Sequence, residues 1–535
     1  MDLLGVLLWL CLPARWMAVL SSGAVTMTRK VTLVQRSLQN IVGSSPKIEV
    51  KSFENWAESL KEDVVFTASP KSVREIQRIV FAALLCRKNV RVVGSTHSWS
   101  SLFTDSEQIQ INLGNMTLEG GKRVILQPGE YPGYRTVRIA PGVTVGELND
   151  LIVPLGFTLR SGPSIKEATV LGAIATSSHG AMVNEPAIGG YMTGARFVDG
   201  WGKILAFNED TDPEVLKALR CNLGLLGVVF EFELKIFPQE QVNSCGILTP
   251  LKTLFNPEFL RNAVSKNNFV LILSASYSSL TEKEARSVLE TGKVPTTWDS
   301  GNDIVLINIV DPDATPDSLN TSDDPLPEDV TVVSTGQEFY KFIKGFPRAL
   351  KGINLTDAIY LDTAVLGPKF LASEYTFPEK TDFKRSANAL KEFSRFMNEK
   401  SHTEGILPFT RFVARWVKGT DCFLCPTSNP TSLKVAGDAG HFTTLGMDGV
   451  IDTLQEGPGF SYTMHKLVEA WDNLGLEGTL HWGKITEVTN FKEKIKTYFR
   501  HDLGFFENIR RKIDPHGVFM NDYLSYLYDA FNNVN

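Results

Sequence analysis

A short apolar strand that runs straight into a glycine turn is the feature that most constrains the fold of this chain. Val90, Val92 and Val93 precede Gly94, where a residue without Cβ permits a sharp, closely packed turn. Small hydroxyl residues and one histidine, His97, follow. Successive backbone N–H groups in such a turn form a concave anion site that suits a pyrophosphate. A polar turn with one solvated histidine explains this stretch alone equally well, so the choice depends on the rest of the chain.

A second stretch of similar texture follows in segment 161–180. It combines glycines with hydroxyl residues: Gly162, Gly172, Gly180, Ser164, Thr176, Ser177 and Ser178. Two such turns in one domain are able to line opposite sides of a flat, phosphate-bearing cofactor. Small residues also allow tight packing of a helix on a sheet, and on this stretch alone that structural explanation would be preferred.

The segments around these turns predict an α+β fold with a mixed sheet. Apolar spacing indicates a helix over 70–86, and Thr144 begins a capping box that opens a helix to Ile152. Val198–Phe207 is typical of a hairpin. Val228–Phe237 alternates apolar and charged residues, as a half-buried antiparallel strand does.

Composition bounds the class of protein. With 535 residues, 43% of them hydrophobic, the chain is able to bury a large core and should divide into two or more domains. A net charge of −6 without a basic run argues against a nucleic-acid partner. Cys422 and Cys425 have CxxC spacing, but no second pair lies nearby to complete a zinc site. We therefore expect two small loop residues there and no metal site.

The N-terminal residues predict a signal peptide or an anchor. Leu3–Leu12 is apolar but too short to span a bilayer, which suits a signal-peptide core, although Asp2 replaces the usual basic start. We expect residues 1–24 to be a signal peptide, with a retained N-terminal anchor as the alternative. The protein would then follow the secretory pathway, be extracellular or ER-associated, and associate with a membrane if the anchor is kept.

Together with Pro141–Leu148 and Leu223–Val229, the two turns resemble the FAD-binding domain of the vanillyl-alcohol oxidase (PCMH-type) family, and within it the aldonolactone and alditol oxidases. The resemblance implies an α+β, two-domain flavoprotein. Its expected parts are a PCMH-type FAD-binding domain over 53–237, a mixed α/β cap (substrate) domain over 238–497, and a C-terminal segment over 498–535 that returns to the FAD domain.

The same resemblance implies how FAD is held. His97 corresponds to the histidine that is often joined to the flavin 8α-methyl group, and a single bond is expected because segment 175–180 has no cysteine. Pro163 matches a position where Gly or Pro accompanies oxidases. The other implied FAD-binding residues are Gly94, Ser95, Thr96, Ser98, Ser164, Ile165, Gly172, Thr176, Ser177, His179, Gly180, Val228, His481 and Asn521.

Three clusters near the end of the cap carry the expected chemistry. They contain Arg415, the pair His441 and Thr443, and the His481-Trp-Gly-Lys484 motif, which is the most distinctive. Oxidising an alcohol requires removal of the hydroxyl proton, for which His441 is a natural base. Lys484 would stabilise negative charge on the reduced flavin, Arg415 a developing alkoxide, and Thr443 would bind a polyol hydroxyl. Taken singly, each residue also has a purely structural explanation.

Three further positions bear on this expectation. Arg411 competes with Arg415, but its spacing to Asp421 and Pro426 does not match the family pattern. Related enzymes commonly carry Glu at the position of Val413 and a hydroxyl residue at that of Ala181. The two departures put the substrate in doubt more than the reaction.

The expected function is oxidation of a CH–OH group in a sugar-1,4-lactone or polyol, with molecular oxygen reduced to hydrogen peroxide. Three alternatives stay open: a dehydrogenase of the same fold with another electron acceptor, an oxidase of a non-sugar alcohol, and a non-catalytic, flavin-retaining secreted binding protein.

Overall fold

The computed structural model describes residues 27–129, 131–291, 293–315, 343, 349–360, 369–405, 408–428, 438–450, 459–486, 490–500 and 502–528. The predicted signal peptide or anchor over 1–24 lies outside these residues. Within the described ranges, no helix combines the length and apolar character that crossing a bilayer requires.

A four-stranded sheet with two helices packed on it forms the first layer. Its elements are α1 (Met27–Val42), β1 (Glu49–Glu54), β2 (Lys61–Ala68), α2 (Val73–Cys86), β3 (Val90–Val93) and β4 (Ile109–Asn112). The strand order is β1-β2-β4-β3, with β4 parallel to both of its neighbours. The helix expected over 70–86 is confirmed as α2, which begins after Ser72 because that side chain accepts a hydrogen bond from the Glu75 amide.

A second sheet follows in the chain. Its elements are β5 (Val124–Leu126), β6 (Arg135–Ile139), α3 (Val145–Ile152), β7 (Phe157–Thr158), α4 (Val170–Ala175), β8 (Met192–Val198), β9 (Ile204–Asn208), α5 (Pro213–Leu219) and β10 (Val228–Pro238). The strands are ordered β5-β6-β10-β8-β9, with β7 on β10. The Thr144 cap is confirmed, since its hydroxyl accepts from the Glu147 amide at 3.1 Å. The expected hairpin is the β8–β9 pair, and the alternating strand is β10.

An eight-stranded antiparallel sheet dominates the remaining chain. Its elements are β11 (Gln241–Pro250), α6 (Pro257–Lys266), β12 (Phe269–Ala275), α7 (Glu282–Thr291), β13 (Ile304–Asp311), β14 (Ala349–Asn354), α8 (Leu355–Ile359), β15 (Phe370–Lys380), α9 (Lys384–Glu399), β16 (Arg411–Lys418), β17 (Asp438–Val450), α10 (Phe460–Asn473) and β18 (Thr479–Leu480). The order is β14-β11-β13-β12-β16-β17-β15-β18. We call it the cap sheet.

The two faces of the cap sheet have different partners. On β16, Phe412 and Trp416 point toward α9, where Phe393 packs on Phe412 with ring centroids 4.5 Å apart. Because side chains alternate along a strand, Arg411, Val413 and Arg415 point the other way, toward the first two sheets. The charged face of β16 is therefore turned to the interior of the protein.

The C-terminal helices α11 (Phe491–Tyr498), α12 (Asp502–Ile513) and α13 (Asp522–Tyr528) complete the described fold. Between α12 and α13, Val518 and Phe519 enter the hydrophobic core of the first sheet. The Val90 amide donates to the Val518 carbonyl at 2.7 Å, so the C-terminal segment packs beside β3.

Cys422 and Cys425 lie in the loop after β16, as expected, but they are also bonded to each other. The loop after β16 turns back on itself, with the Thr420 amide bonded to the Thr427 carbonyl at 2.8 Å. This turn brings the two Cα atoms to 5.9 Å, and Cys422 and Cys425 form a disulfide.

Candidate cofactor and substrate site

A cavity of about 480 Å³ lies where the three sheets meet. Both glycine-rich turns line it from the side of the first two sheets, and β12, β15, β16 and β17 line it from the cap. Pockets of this size that combine apolar walls with a few converging polar groups are typical ligand sites.

The first turn contributes a contiguous wall. Gly94, Ser95, Thr96, His97 and Ser98, all expected at the cofactor, line the cavity. A Cβ at Gly94 would lie 2.1 Å from the Thr169 hydroxyl, so only glycine allows this approach. Thr96 has a φ of 55°, which exposes the backbone of the turn rather than extending the strand.

His97 has one ring nitrogen without a partner. Its Nδ1 is buried and makes no hydrogen bond within the described chain, while the ring lies 5.1 Å from the Trp56 ring. Burial lowers the pKa of His97, and nearby Lys484 acts in the same direction. A neutral imidazole with a free nitrogen is suited to form a bond to a ligand in the cavity.

The second turn contributes Pro163, Ser164, Ile165, Gly172, Thr176 and His179, as expected. Four other expected cofactor residues do not line the cavity. Ser177 and Gly180 lie within the turn, and the Gly180 amide bonds to the Ser161 hydroxyl at 3.3 Å. Val228 packs in the core of the first sheet, since alternation along β10 presents Val229 to the cavity instead. The Asn521 amide bonds to the carbonyls of Ser101 and Phe103, so it supports the loop after His97.

The His481-Trp-Gly-Lys484 motif lies directly on the first turn. The Trp99 amide donates to the Gly483 carbonyl at 2.9 Å, and the Lys484 ammonium lies 4.0 Å above the Trp99 ring. Burial lowers the pKa of His481 to about 4, so this ring is neutral. Burial also lowers the pKa of Lys484, although Asp448 and Glu374 oppose the shift.

Arg415 lines the cavity as expected, whereas His441 and Thr443 do not. The register pairs Arg415 with Thr444, which places Thr443 beside Trp416 on the opposite face. There its hydroxyl donates to Glu379 at 3.0 Å. His441 lies near the start of β17, where its Nε2 is 3.4 Å from the Asn184 side-chain oxygen. The geometry does not support the expected roles of His441 as base and of Thr443 as a substrate contact.

The cavity also contains charged residues that the sequence analysis missed or set aside. Glu374 lies in the middle of the buried strand β15, and a carboxylate at such a position is a signal that was available. Arg411 lies four positions before Arg415, hence on the same face, and its guanidinium is 3.5 Å from Asp448. The family spacing used to choose between the two arginines did not take this alternation into account.

His179, Glu374 and His481 form a buried group whose potential ligand atoms all lie within 4.8 Å of one another. These atoms already have partners within the protein. His179 Nε2 lies 2.8 Å from the Glu374 carboxylate, and His481 Nδ1 accepts from the Gly483 amide at 3.1 Å. The group is therefore a hydrogen-bonded network that joins the second turn to the cap.

The residues at this site fit FAD. One end of the cavity is bounded by hydroxyl residues and by glycines, which allow a phosphate to approach the backbone: Gly94, Gly142, Gly172, Gly224 and Gly227. His97, whose Nδ1 has no partner, lines the same cavity as the charged residues of the cap. Fold and site together define a PCMH-type FAD-binding protein.

Comparisons with known proteins agree with this class. Residues 65–208 match the FAD binding domain family and residues 364–527 the D-arabinono-1,4-lactone oxidase family. The structure of cholesterol oxidase from B. sterolicum superposes with a TM-score of 0.66 over 90% of this chain and 97% of that one, at 14% identity, which shows a shared fold. The expected α+β, two-domain fold class is thereby confirmed.

Curated relatives narrow the class. D-arabinono-1,4-lactone oxidase of Kluyveromyces lactis is 26% identical over 206 residues, which cover 38% of each chain. The mitochondrial L-galactono-1,4-lactone dehydrogenase of Brassica oleracea is 26% identical over 195 residues, covering 36% of this chain and 31% of that one. The chain thus matches between 31% and 38% of the length of these relatives. By these matches the chain is similar to the aldonolactone oxidase branch of the PCMH-type FAD-binding family.

Proposed function

We propose that this protein is an FAD-dependent oxidase that acts on a CH–OH group of a sugar-1,4-lactone or a related polyol. The observation that carries the proposal is the single cavity that joins the His97 turn to Arg415 and Lys484 of the cap. The names of the relatives, which are lactone oxidases and a lactone dehydrogenase, support the substrate class.

The bound flavin would supply the acceptor for the hydride that leaves the substrate carbon. The residues of the chain bind and orient the hydroxyl group. Arg415 presents a planar guanidinium that is able to donate hydrogen bonds to the oxygen of the substrate hydroxyl. The Lys484 ammonium adds a second positive charge at the same end of the cavity, where it stabilises developing negative charge. Leu271, Leu273 and Val413 form an apolar wall that excludes water from one side.

We further propose that FAD is attached covalently through His97 alone and that oxygen is the electron acceptor. The free Nδ1 of His97 supports the first proposal. The second is supported by Pro163, which lines the cavity, and by the oxidases among the relatives. The dehydrogenase among the relatives makes another acceptor the second candidate.

Entry into the secretory pathway, with or without a retained membrane anchor, is also a proposal. It depends on the apolar run Leu3–Leu12, which lies outside the described residues.

An absorption spectrum of the purified protein, before and after acid precipitation, tests the cofactor. We expect a flavin spectrum with the colour retained in the pellet. His97→Ala should release the colour to the supernatant because the bond to the protein is lost. His516→Ala is the matched control, since this exposed histidine packs on Trp201 outside the cavity. Colour that stays in the His97→Ala pellet would exclude the covalent assignment.

A lactone panel tests the reaction. We expect D-arabinono-1,4-lactone or a related aldonolactone to bleach the flavin without oxygen, and added oxygen to restore the colour with release of peroxide. Reoxidation by cytochrome c or a quinone, with no response to oxygen, would favour the dehydrogenase. A colourless protein that does not take up added FAD would overturn the proposed function.

A further inference from the structure

A row of three positions crosses the cavity face of the cap sheet. Val413 on β16 is paired with Gly446 on β17, and Gly446 with Glu374 on β15. Gly446 has no side chain, and a Cβ built there would lie 3.9 Å from the Glu374 carboxylate. The glycine therefore leaves a gap across which side chains of the outer strands can meet.

Arg415 and Glu374 meet across this gap. The Arg415 Nη1 lies 3.1 Å from Glu374 Oε2, and the carboxylate is buried, with 4% of its side chain exposed. In the described part of the chain, Glu374 is the carboxylate within ion-pair distance of Arg415. Val413, which lies two positions before Arg415 on the same face of β16, carries no charge and is therefore not an alternative partner.

The other oxygen of Glu374 contacts the second glycine-rich turn. Oε1 lies 2.8 Å from His179 Nε2, and His179 Nδ1 lies 3.0 Å from the Gly180 carbonyl. A carbonyl oxygen only accepts, so Nδ1 must donate to it. Through its two ring nitrogens His179 therefore links Glu374 to the backbone of the second turn.

The surroundings of Glu374 keep it ionised. Burial alone would raise its pKa, but His179, His481 and Arg415 hold the pKa of Glu374 well below its usual range. One carboxylate thus joins Arg415 of the cap to His179 of the second turn. Arg415 and Lys484 bring positive charge to this end of the cavity, which suits an oxygen that becomes anionic.

We propose that Glu374 is a positioning residue of the active site. Its carboxylate holds the Arg415 guanidinium in the orientation that contacts the substrate oxygen, and it links Arg415 to His179 of the second turn. This inference rests on the proposed function, because Arg415 is assigned there to the substrate oxygen. Glu374 acts through Arg415 and His179 and needs no contact with substrate. A buried, two-sided ion pair has one geometry, whereas an unpaired arginine samples many.

Glu374→Gln tests this role. We expect the rate of flavin bleaching at saturating lactone to fall by about 10- to 100-fold, because a displaced guanidinium no longer meets the reacting oxygen. FAD content should stay close to that of the wild type. Glu379→Gln is the matched control: it lies on the same strand, is equally buried, and bonds to Ser386 and Thr443 on the opposite face. The Glu379→Gln variant should have a lower melting temperature and an unchanged rate of flavin bleaching.

A double variant separates positioning from general structural support. If Glu374 acts through Arg415, then Arg415→Met should lose much less activity in the Glu374→Gln background than in the wild type. Full additivity of the two losses would overturn the proposal.

Hydrogen exchange provides a readout that is independent of turnover. Amides of segment 176–183 should exchange faster in Glu374→Gln than in Glu379→Gln, because only the former loses the contact to His179. Equal exchange in the two variants, or a wild-type bleaching rate in Glu374→Gln, would contradict the inference. If Glu374→Gln does not fold, Glu374→Asp replaces it, because aspartate keeps the negative charge but is one methylene shorter. A wild-type bleaching rate in Glu374→Asp would also contradict the inference. If no lactone in the panel bleaches the flavin of the wild-type protein, the proposed function itself is refuted.

Discussion

At the scale of single residues, the Thr169 hydroxyl joins the two glycine-rich turns. It lies 2.1 Å from the place a Cβ would occupy at Gly94 and 2.7 Å from that at Gly172. Gly94 is therefore required by packing against the second turn, and Gly172 by packing against Thr169 of its own turn. Both glycines stand out in the sequence, whereas the contact of Thr169 with Gly94 depends on the fold.

Gly94→Ala should abolish FAD binding, because the new methyl group collides with the Thr169 hydroxyl and pushes the His97 turn into the cavity. We expect the purified variant to be colourless while its helical circular dichroism is retained. Adding Thr169→Ala removes the nearest atoms and should restore part of the flavin absorbance. Gly504→Ala is the control, since a Cβ there meets no atom within 4 Å. Wild-type flavin content in Gly94→Ala would show that the turn adapts.

At the scale of elements, Arg91 connects β3 to two distant segments. Its guanidinium donates to the carbonyls of Leu102, Leu223 and Phe519, and 3% of the residue is exposed. Burial lowers the pKa of Arg91 to about 10, which still leaves it charged at neutral pH. Arg91 thereby holds three segments together: the loop after His97, the residues just before β10, and the C-terminal segment.

Arg91→Met should lower the free energy of unfolding by about 3 kcal/mol, because three buried carbonyl groups lose their donors. Urea unfolding followed by tryptophan fluorescence measures the loss. Arg74→Met, an exposed arginine on α2, is the control and should change stability by less than about 0.5 kcal/mol. A similar change in both variants would mean that water or another donor replaces Arg91.

At the scale of the whole molecule, His481 makes the joined domains sensitive to acid. Its pKa falls from 6.5 to about 4 on folding because burial disfavours the charged ring. In the unfolded chain the ring binds a proton near pH 6.5, so stability from this group is complete above that pH and decreases as the pH falls toward 4. The full difference corresponds to about 3 kcal/mol.

We therefore expect the melting temperature to fall between pH 7 and pH 5, and to fall less in His481→Gln, which has no such proton to bind. Thermal scans of both proteins at the two pH values measure this difference. Glu374 contributes little in this window, because its depressed pKa shifts its own loss of stability to below pH 4.5. An identical pH response in both proteins would exclude His481 as the source.

Local sequence determined the elements that carry the site. The Ser72 and Thr144 caps, the hairpin at 198–204 and the alternation along β10 follow from interactions within a few residues, which any fold of this chain must satisfy. The strand and turn around His97 belong to the same class. For this reason Gly94 to Ser98 and most of the second turn, which are predicted to contact the cofactor, come together in the cavity wall.

The pairing of distant strands decided what the sequence left open. Alternation shows that neighbouring residues face opposite ways, but only the register of β16 with β17 puts Arg415 beside Thr444 and turns Thr443 away. Likewise, Glu374 is 41 positions before Arg415 and becomes its partner through the order β16-β17-β15 and the empty position at Gly446. The residue types within each segment predicted the chemistry of that segment. The contacts between charged residues of separate segments depend on the tertiary structure, because strand order and register bring them together.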